Sequence, residues 1–379
     1  MPGRKPRFRD QSFLGILRGF GRSAGRAPGS RGPAPSGQPP FWSPPMLVAS
    51  AALVIVIVVS ILVLAHVYSS GTTAPAALPL GTTAPQALPT AAMPKLAMSV
   101  GTPITPTTML GGGNSASTLL APQEALLGSD GLYYVADTGN HRVAVLNSHG
   151  SLVRQILNGP SGPLQAPASL AFTHDGHLLV LDSDSGLVLE YTMADKLLAT
   201  SSRAVPFIHA RGLAVDAQGQ IYVADPATDG IFTLDTGLNV VHQQTASPDQ
   251  GKTFLFQQPT AVAPAPGGLL YVVDGQNQRL DLFNATWQLQ ESWPLAITDT
   301  LHSPRVLPLA NGQALVSDAV DNKILLYSPD QLQPAAYSLA TVAGPAAGPL
   351  GIAAAGHHRL LVTASGANQI WLVPVPGVP

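Results

Sequence analysis

Within YVADTGNHRVAVLNSHG, from Tyr134 to Gly150, an acid, an amide, an imidazole and a guanidinium fall inside six residues: Asp137, Asn140, His141 and Arg142. Such a set suits a divalent metal, or a general base held beside a cation. Composition closes off several other chemistries. The chain has 379 residues and no Cys, which excludes disulfides, thiolate metal sites and cysteine nucleophiles. No G-x-S-x-G elbow occurs, and GGGN at 111–114 lacks the GK[ST] of a phosphate cradle.

The stretch is not alone in the chain, and its relatives decide how it is read. YYVADTGNHRV (133–143) aligns with LLVLDSDSGLV (178–188), IYVADPATDGI (221–231), LYVVDGQNQRL (270–280), ALVSDAVDNKI (314–324) and LLVTASGANQI (360–370). The anchor positions are Asp137, Asp182, Asp225, Asp274, Asp318 and Ala364, spaced 45, 43, 49, 44 and 46 residues apart. Each unit runs from a short apolar segment through a Gly turn to a strand ending at the anchor. A loop, a second apolar strand and a polar-alternating strand such as SLVRQI (151–156) complete it. Four short strands at this period predict the blades of a β-propeller, and six units make a closed ring. The inner strand is expected to be the most apolar and the outer one the most polar. The last unit ends at Trp371, Leu372 and Val373 before a Pro-rich tail, so its outer strand is missing. A segment between Pro94 and Pro106 is expected to supply it.

The pattern in PASLAFTHDGHLLVLD, RGLAVDAQGQIYVAD and DGLYYVADTGNHRVAVL is similar to the NHL-repeat family of six-bladed propellers, over residues 122–373. The resemblance implies an all-β, six-bladed fold with four-stranded blades and says little of function, because propellers host unrelated activities. Recurrence makes Asp137 and its equivalents Asp182, Asp225, Asp274 and Asp318 structural anchors, accepting hydrogen bonds from the loop that follows. Asn140, Asn277 and Asn322, three or four residues further on, are expected in left-handed turn positions.

Binding residues should instead break the repeat on one face, where the loops after the second strand and those leading into the inner strand meet. Glu124, Ala168, Arg211, Thr260, Arg305 and Leu350 lead into the inner strands. Arg211 and Arg305 can make an anion pocket at the channel mouth or be solvated rim charges. His141 and Arg142, not repeated as a pair, complete the candidate set. Gluconolactonase-like propellers also resemble the chain, and that likeness implies a channel metal held partly by Glu124. Where further ligands would stand are Ala168, Arg211 and Thr260, which do not favour a cation. Amidating lyases of the same repeat class depend on His ligands and disulfides that this chain does not match. No catalytic residue, metal site or cofactor is therefore expected, and a binding or scaffold module is the leading reading. A metal-dependent hydrolase or lyase in the channel is the alternative.

Residues 1–45 carry eight Lys or Arg and one acid in a Pro, Gly and Ser-rich tail, expected to be disordered. Phe13, Leu14, Ile16, Leu17 and Phe20 interleave there with Arg18 and Arg22, as in an interfacial helix. Residues 46–68, MLVASAALVIVIVVSILVLAHVY, hold no Asp, Glu, Lys or Arg. At about 1.5 Å per residue they reach about 34 Å, enough for a hydrocarbon core of about 30 Å. The basic flank places the N-terminus in the cytoplasm and the bulk of the chain outside, as a single-pass signal-anchor protein of the cell membrane. Residues 69–93 contain GTTAPAALPL followed by GTTAPQALPT, an extended Pro-rich stalk. The propeller is assigned to 94–379. Beyond residue 70 there are eleven Lys or Arg against twenty acids, a poor balance for nucleic acid. A protein, glycan or small ligand outside the cell is the expected partner. A related arrangement, with a cytoplasmic part, one span and an outer NHL propeller, occurs in receptor-type bacterial kinases, whose outer half alone this chain resembles.

Overall fold

The computed structural model describes residues 108–110, 118–202, 207–249, 252–295, 297, 303–331, 333–339, 348–356 and 358–375. The predicted tail, membrane span and stalk lie outside them. Among the described residues no helix is long and apolar enough to cross a membrane.

Six four-stranded antiparallel sheets follow one another along the chain as the blades of a propeller. Blade one is Glu124–Leu127, Tyr133–Asp137, Arg142–Leu146 and Leu152–Ile156, from inner to outer strand. The remaining inner strands are Pro167–Phe172, Gly212–Val215, Pro259–Ala265, Val306–Pro308 and Pro349–Ala354. Every second strand ends on its anchor, and each anchor pairs with the residue five positions on: Asp137 with Arg142, Asp274 with Arg279, Ala364 with Gln369. This fixed register follows from period-two alternation, since a one-residue slip would turn every buried side chain to the wrong face.

That alternation also explains the core. In blade one, Tyr134 and Ala136 face blade two, while Tyr133 and Val135 face blade six. Apolar clusters form at each of the six junctions between neighbouring blades. The second strands of blades one and three are buried throughout, whereas the inner strands of the same blades become partly exposed towards their ends. The inner strand is therefore not the most buried one, because it lines a channel instead of packing on both faces. The outer strands alternate between half-buried and exposed, as expected for the solvent side.

Ring closure departs from expectation in position. The missing outer strand of blade six is Thr108–Leu110, antiparallel to Gln369–Pro374 with Met109 opposite Trp371. It lies beyond the predicted 94–106 segment, and Leu110 enters the apolar junction of blades six and one. At the same seam the inner strand of blade six approaches blade one closely. A Cβ on Gly351 would stand 2.7 Å from the Gln123 carbonyl oxygen and 2.9 Å from Glu124 Cα. Only glycine permits that approach.

Candidate functional site

The strands run alternately, so the loops leading into the inner strands and those after the anchors share one face. The opposite face carries tight turns with left-handed glycines such as Gly131, Gly176, Gly219 and Gly312. On the first face the anchors act as expected in kind but with different donors. Asp137 accepts from the Leu120 N–H at 2.7 Å, Asp182 from the N–H groups of Gln165 and Ala166, and Asp274 from that of Gln257. Asp225 accepts from Ile208 and His209, and from Ala227 in the following loop. These donors lie mostly in the loop before the inner strand, not in the loop that follows, so each anchor fastens the start of its own blade. Asp318 accepts from Asp321 in the following loop, and its Oδ2 has no hydrogen-bond partner among the described residues. Burial raises its pKa.

Arg142 belongs to this scaffold. Its Nε donates to Asp137 Oδ2 at 2.7 Å, its other nitrogens to Gln155 and the Thr118 carbonyl, and the side chain is buried. Arg279 donates to Asp274 in the same way in blade four. Arg142, a candidate binding residue, is thus buried and hydrogen-bonded within the blade. His141 has φ 54°, and the residues at its repeat position, Gly186, Asp229, Gln278, Asn322 and Asn368, are all left-handed too. Its Nδ1–H donates to the Gln165 carbonyl in the loop of the next blade. Asp229 accepts from Gln258 N and Asn368 from Ala121 N across the corresponding junctions. His141 thus stitches neighbouring blades. Asn140 and Asn277 sit one residue earlier than the left-handed position and donate to the anchor carboxylates.

Glu124 and Arg305 come together. Glu124 starts the inner strand of blade one, Arg305 immediately precedes that of blade five, and they meet across the channel, with Arg305 Nε 4.0 Å from Glu124 Oε1. Glu124 Oε2 accepts from Ser169 Oγ at 2.5 Å and from Leu170 N at 2.8 Å. Ser169 Oγ in turn accepts from Leu213 N in blade three. The Arg305 guanidinium donates to the Ala168 carbonyl at 3.0 Å, and its Nε has no hydrogen-bond partner among the described residues. Arg305 N donates to Ser317 Oγ, whose hydroxyl reaches the Leu350 carbonyl of blade six. Burial raises the Glu124 pKa against the pull of Arg305 and its two hydrogen bonds. Burial also lowers that of Arg305, opposed by Glu124 and assisted by Arg211. Beneath the pair the channel widens to a cavity of about 340 Å³ lined by residues such as Leu126, Leu213, Ala261, Val306 and Ile352. Above it lies a smaller pocket beside Arg211.

The first blade matches a known repeat over residues 125–146. That repeat is the NHL repeat, and the match falls within blade one. No curated protein matches the sequence. Solved structures show the same fold at low identity. A gluconolactonase from Xanthomonas campestris is 13% identical, with TM-score 0.52 over 74% of this chain and 100% of that one. The virginiamycin B lyase from Staphylococcus aureus is 14% identical, with TM-score 0.50 over 69% and 83% of the two chains.

The metal implied by the gluconolactonase-like resemblance does not fit the residues of this propeller. Oε2 of Glu124 accepts from two donors and Oε1 faces Arg305 at 4.0 Å, so a dication there would stand against a guanidinium. Among the described residues no three His, Asp or Glu side chains gather in a metal-binding group. The residues that sequence reasoning missed are Ser169 and Ser317, hydroxyls buried in otherwise apolar strands. Their polarity within the runs PASLAF and ALVSD was the available signal.

Proposed function

We propose that the chain is a recognition module, an NHL propeller held outside the membrane by an N-terminal anchor, which binds its partner on the face of the channel mouth. The observation that carries this is the Glu124–Arg305 pair, which braces blades one, two and five and sets a guanidinium where a catalytic cation would stand. A hydrolase or lyase working through a channel metal would need that position. The same face carries the irregular loops, and Leu120, Ile208, Leu255 and Val320 are exposed on them. Exposed apolar side chains beside polar ones are the makings of a contact surface. The anchor rests on the apolar run 46–68 and its basic flank.

Protease shaving of intact cells tests the placement. Digestion of the propeller from outside supports it, whereas a propeller that survives shaving and is digested only after lysis reverses the orientation.

A further inference from the structure

We propose that the pocket beside Arg211 binds an oxyanion group of the ligand, a carboxylate or a phosphate. This deepens the recognition reading above and rests on it. The pocket has a volume of about 250 Å³ and is lined by His209, Arg211, Gln258, Thr260 and Ser303 with Pro226 and Ala227. Arg211 is half-buried, and its side chain makes no hydrogen bond or ion pair among the described residues, while its backbone N–H donates to the Ala224 carbonyl. A guanidinium with five donors and a fixed backbone is thus left to face the pocket.

The neighbouring charges make the position more positive still. Arg305 feels Arg211 as a like charge, and among the described residues the carboxylate facing Arg305 is Glu124, held within the channel. Neither acid on the adjoining loop of blade three is paired with Arg211. Asp225 is fully buried, its oxygens accepting three backbone N–H groups, and Asp229 accepts from Gln258 N.

Gly212 explains why the pocket is tight. A Cβ there would stand 3.0 Å from Ala261 Cα and 3.1 Å from the Thr260 carbonyl oxygen, so the strand that follows Arg211 lies directly on the one that bears Thr260. Thr260, Ser303 and Gln258 line the same pocket as the guanidinium, the Thr260 hydroxyl donating to the Pro304 carbonyl. A planar fork with neutral donors beside it is the arrangement that recognises carboxylate or phosphate oxygens.

The test is calorimetric titration of the full chain in detergent with inorganic phosphate and, separately, with succinate, at ionic strength held constant with chloride. Saturable binding of either supports the proposal if Arg211→Gln weakens it roughly 10- to 100-fold, as loss of a charged hydrogen-bonding partner does. Arg211→Lys should retain part of the affinity, and Lys196→Gln, an exposed charge on the opposite face, should change nothing. Phosphate binding alone indicates a phosphorylated ligand, and succinate binding alone a carboxylate one. Absence of saturable binding by both probes, or equal binding in Arg211→Gln, overturns the proposal. Because Arg211 makes no internal side-chain bond, both variants should melt with the wild type, and Arg211→Lys serves if Arg211→Gln does not fold. A metal found in the channel would sink the recognition reading while leaving this result intact. Failure here in a metal-free protein sinks only the oxyanion site.

Discussion

Replacing Arg305 with Met should make the stability of the propeller steeply dependent on pH. The wild-type pair lies 4.0 Å apart in a buried site. At an effective dielectric of about 20 its Coulomb attraction is about 4 kcal/mol, and removing one partner of a buried pair costs about 3–5 kcal/mol. That loss appears only when Glu124 is charged. Burial already raises the Glu124 pKa above its ordinary value of 4.5, and Arg305 restrains the rise. Without Arg305 the rise is larger. A carboxyl whose pKa is raised by folding holds its proton more tightly in the native state, so stability is greatest below the unfolded value and falls as pH climbs to the folded one. The deficit of Arg305→Met should therefore be small near about pH 4 and reach about 3–5 kcal/mol near about pH 8. Urea unfolding followed by fluorescence reads it, since Trp293 and Trp371 are buried. The double variant Glu124→Gln/Arg305→Met should recover much of the loss, because it leaves no bare charge. A deficit equal at both pH values, or a double variant as unstable as the single one, would refute the reasoning.

Three further outcomes follow from other parts of the ring. Burial lifts Asp281 to about 6 against the Ser292 hydrogen bond and Arg279, so it should cost about 3 kcal/mol of stability between about pH 4 and 6. Asp281→Asn should flatten the profile of melting temperature across that interval. Truncation through Leu110 removes the outer strand of blade six, and hydrogen exchange should rise across Gln369–Pro374 first, where its pairing is lost. An exchange pattern unchanged there would remove the strap from the account. Gly351→Ala drives a Cβ against backbone atoms of Gln123 and Glu124 and should destabilise by about 1–3 kcal/mol in chemical denaturation, as overpacking does.

The blades were legible because six anchors recur at a near-constant spacing, and alternation within each unit sets the register. The closing strand was legible as a need but not as a place. Three residues, Thr108–Leu110, are too few to show alternation, which is why the sequence points to 94–106 instead. The anchors were recognisable by recurrence, yet the donors to Asp137 and Asp182 lie about seventeen residues upstream, outside the local turn logic that was applied. His141 looked individual because its repeat position is filled by unlike residue types that share only a left-handed backbone. Glu124 and Arg305 could each be placed at the start of an inner strand. Their meeting depends on the diameter of the channel, which the blades set only once the ring has closed.

The central claim, that the channel is closed by an ion pair and not organised around a metal, is tested most directly by elemental analysis of the purified full-length protein after exhaustive dialysis in chelator-free buffer. The structure predicts far less than one divalent ion per chain. One tightly held Ca²⁺ or Zn²⁺ per chain, lost together with Glu124 in Glu124→Gln, would contradict it.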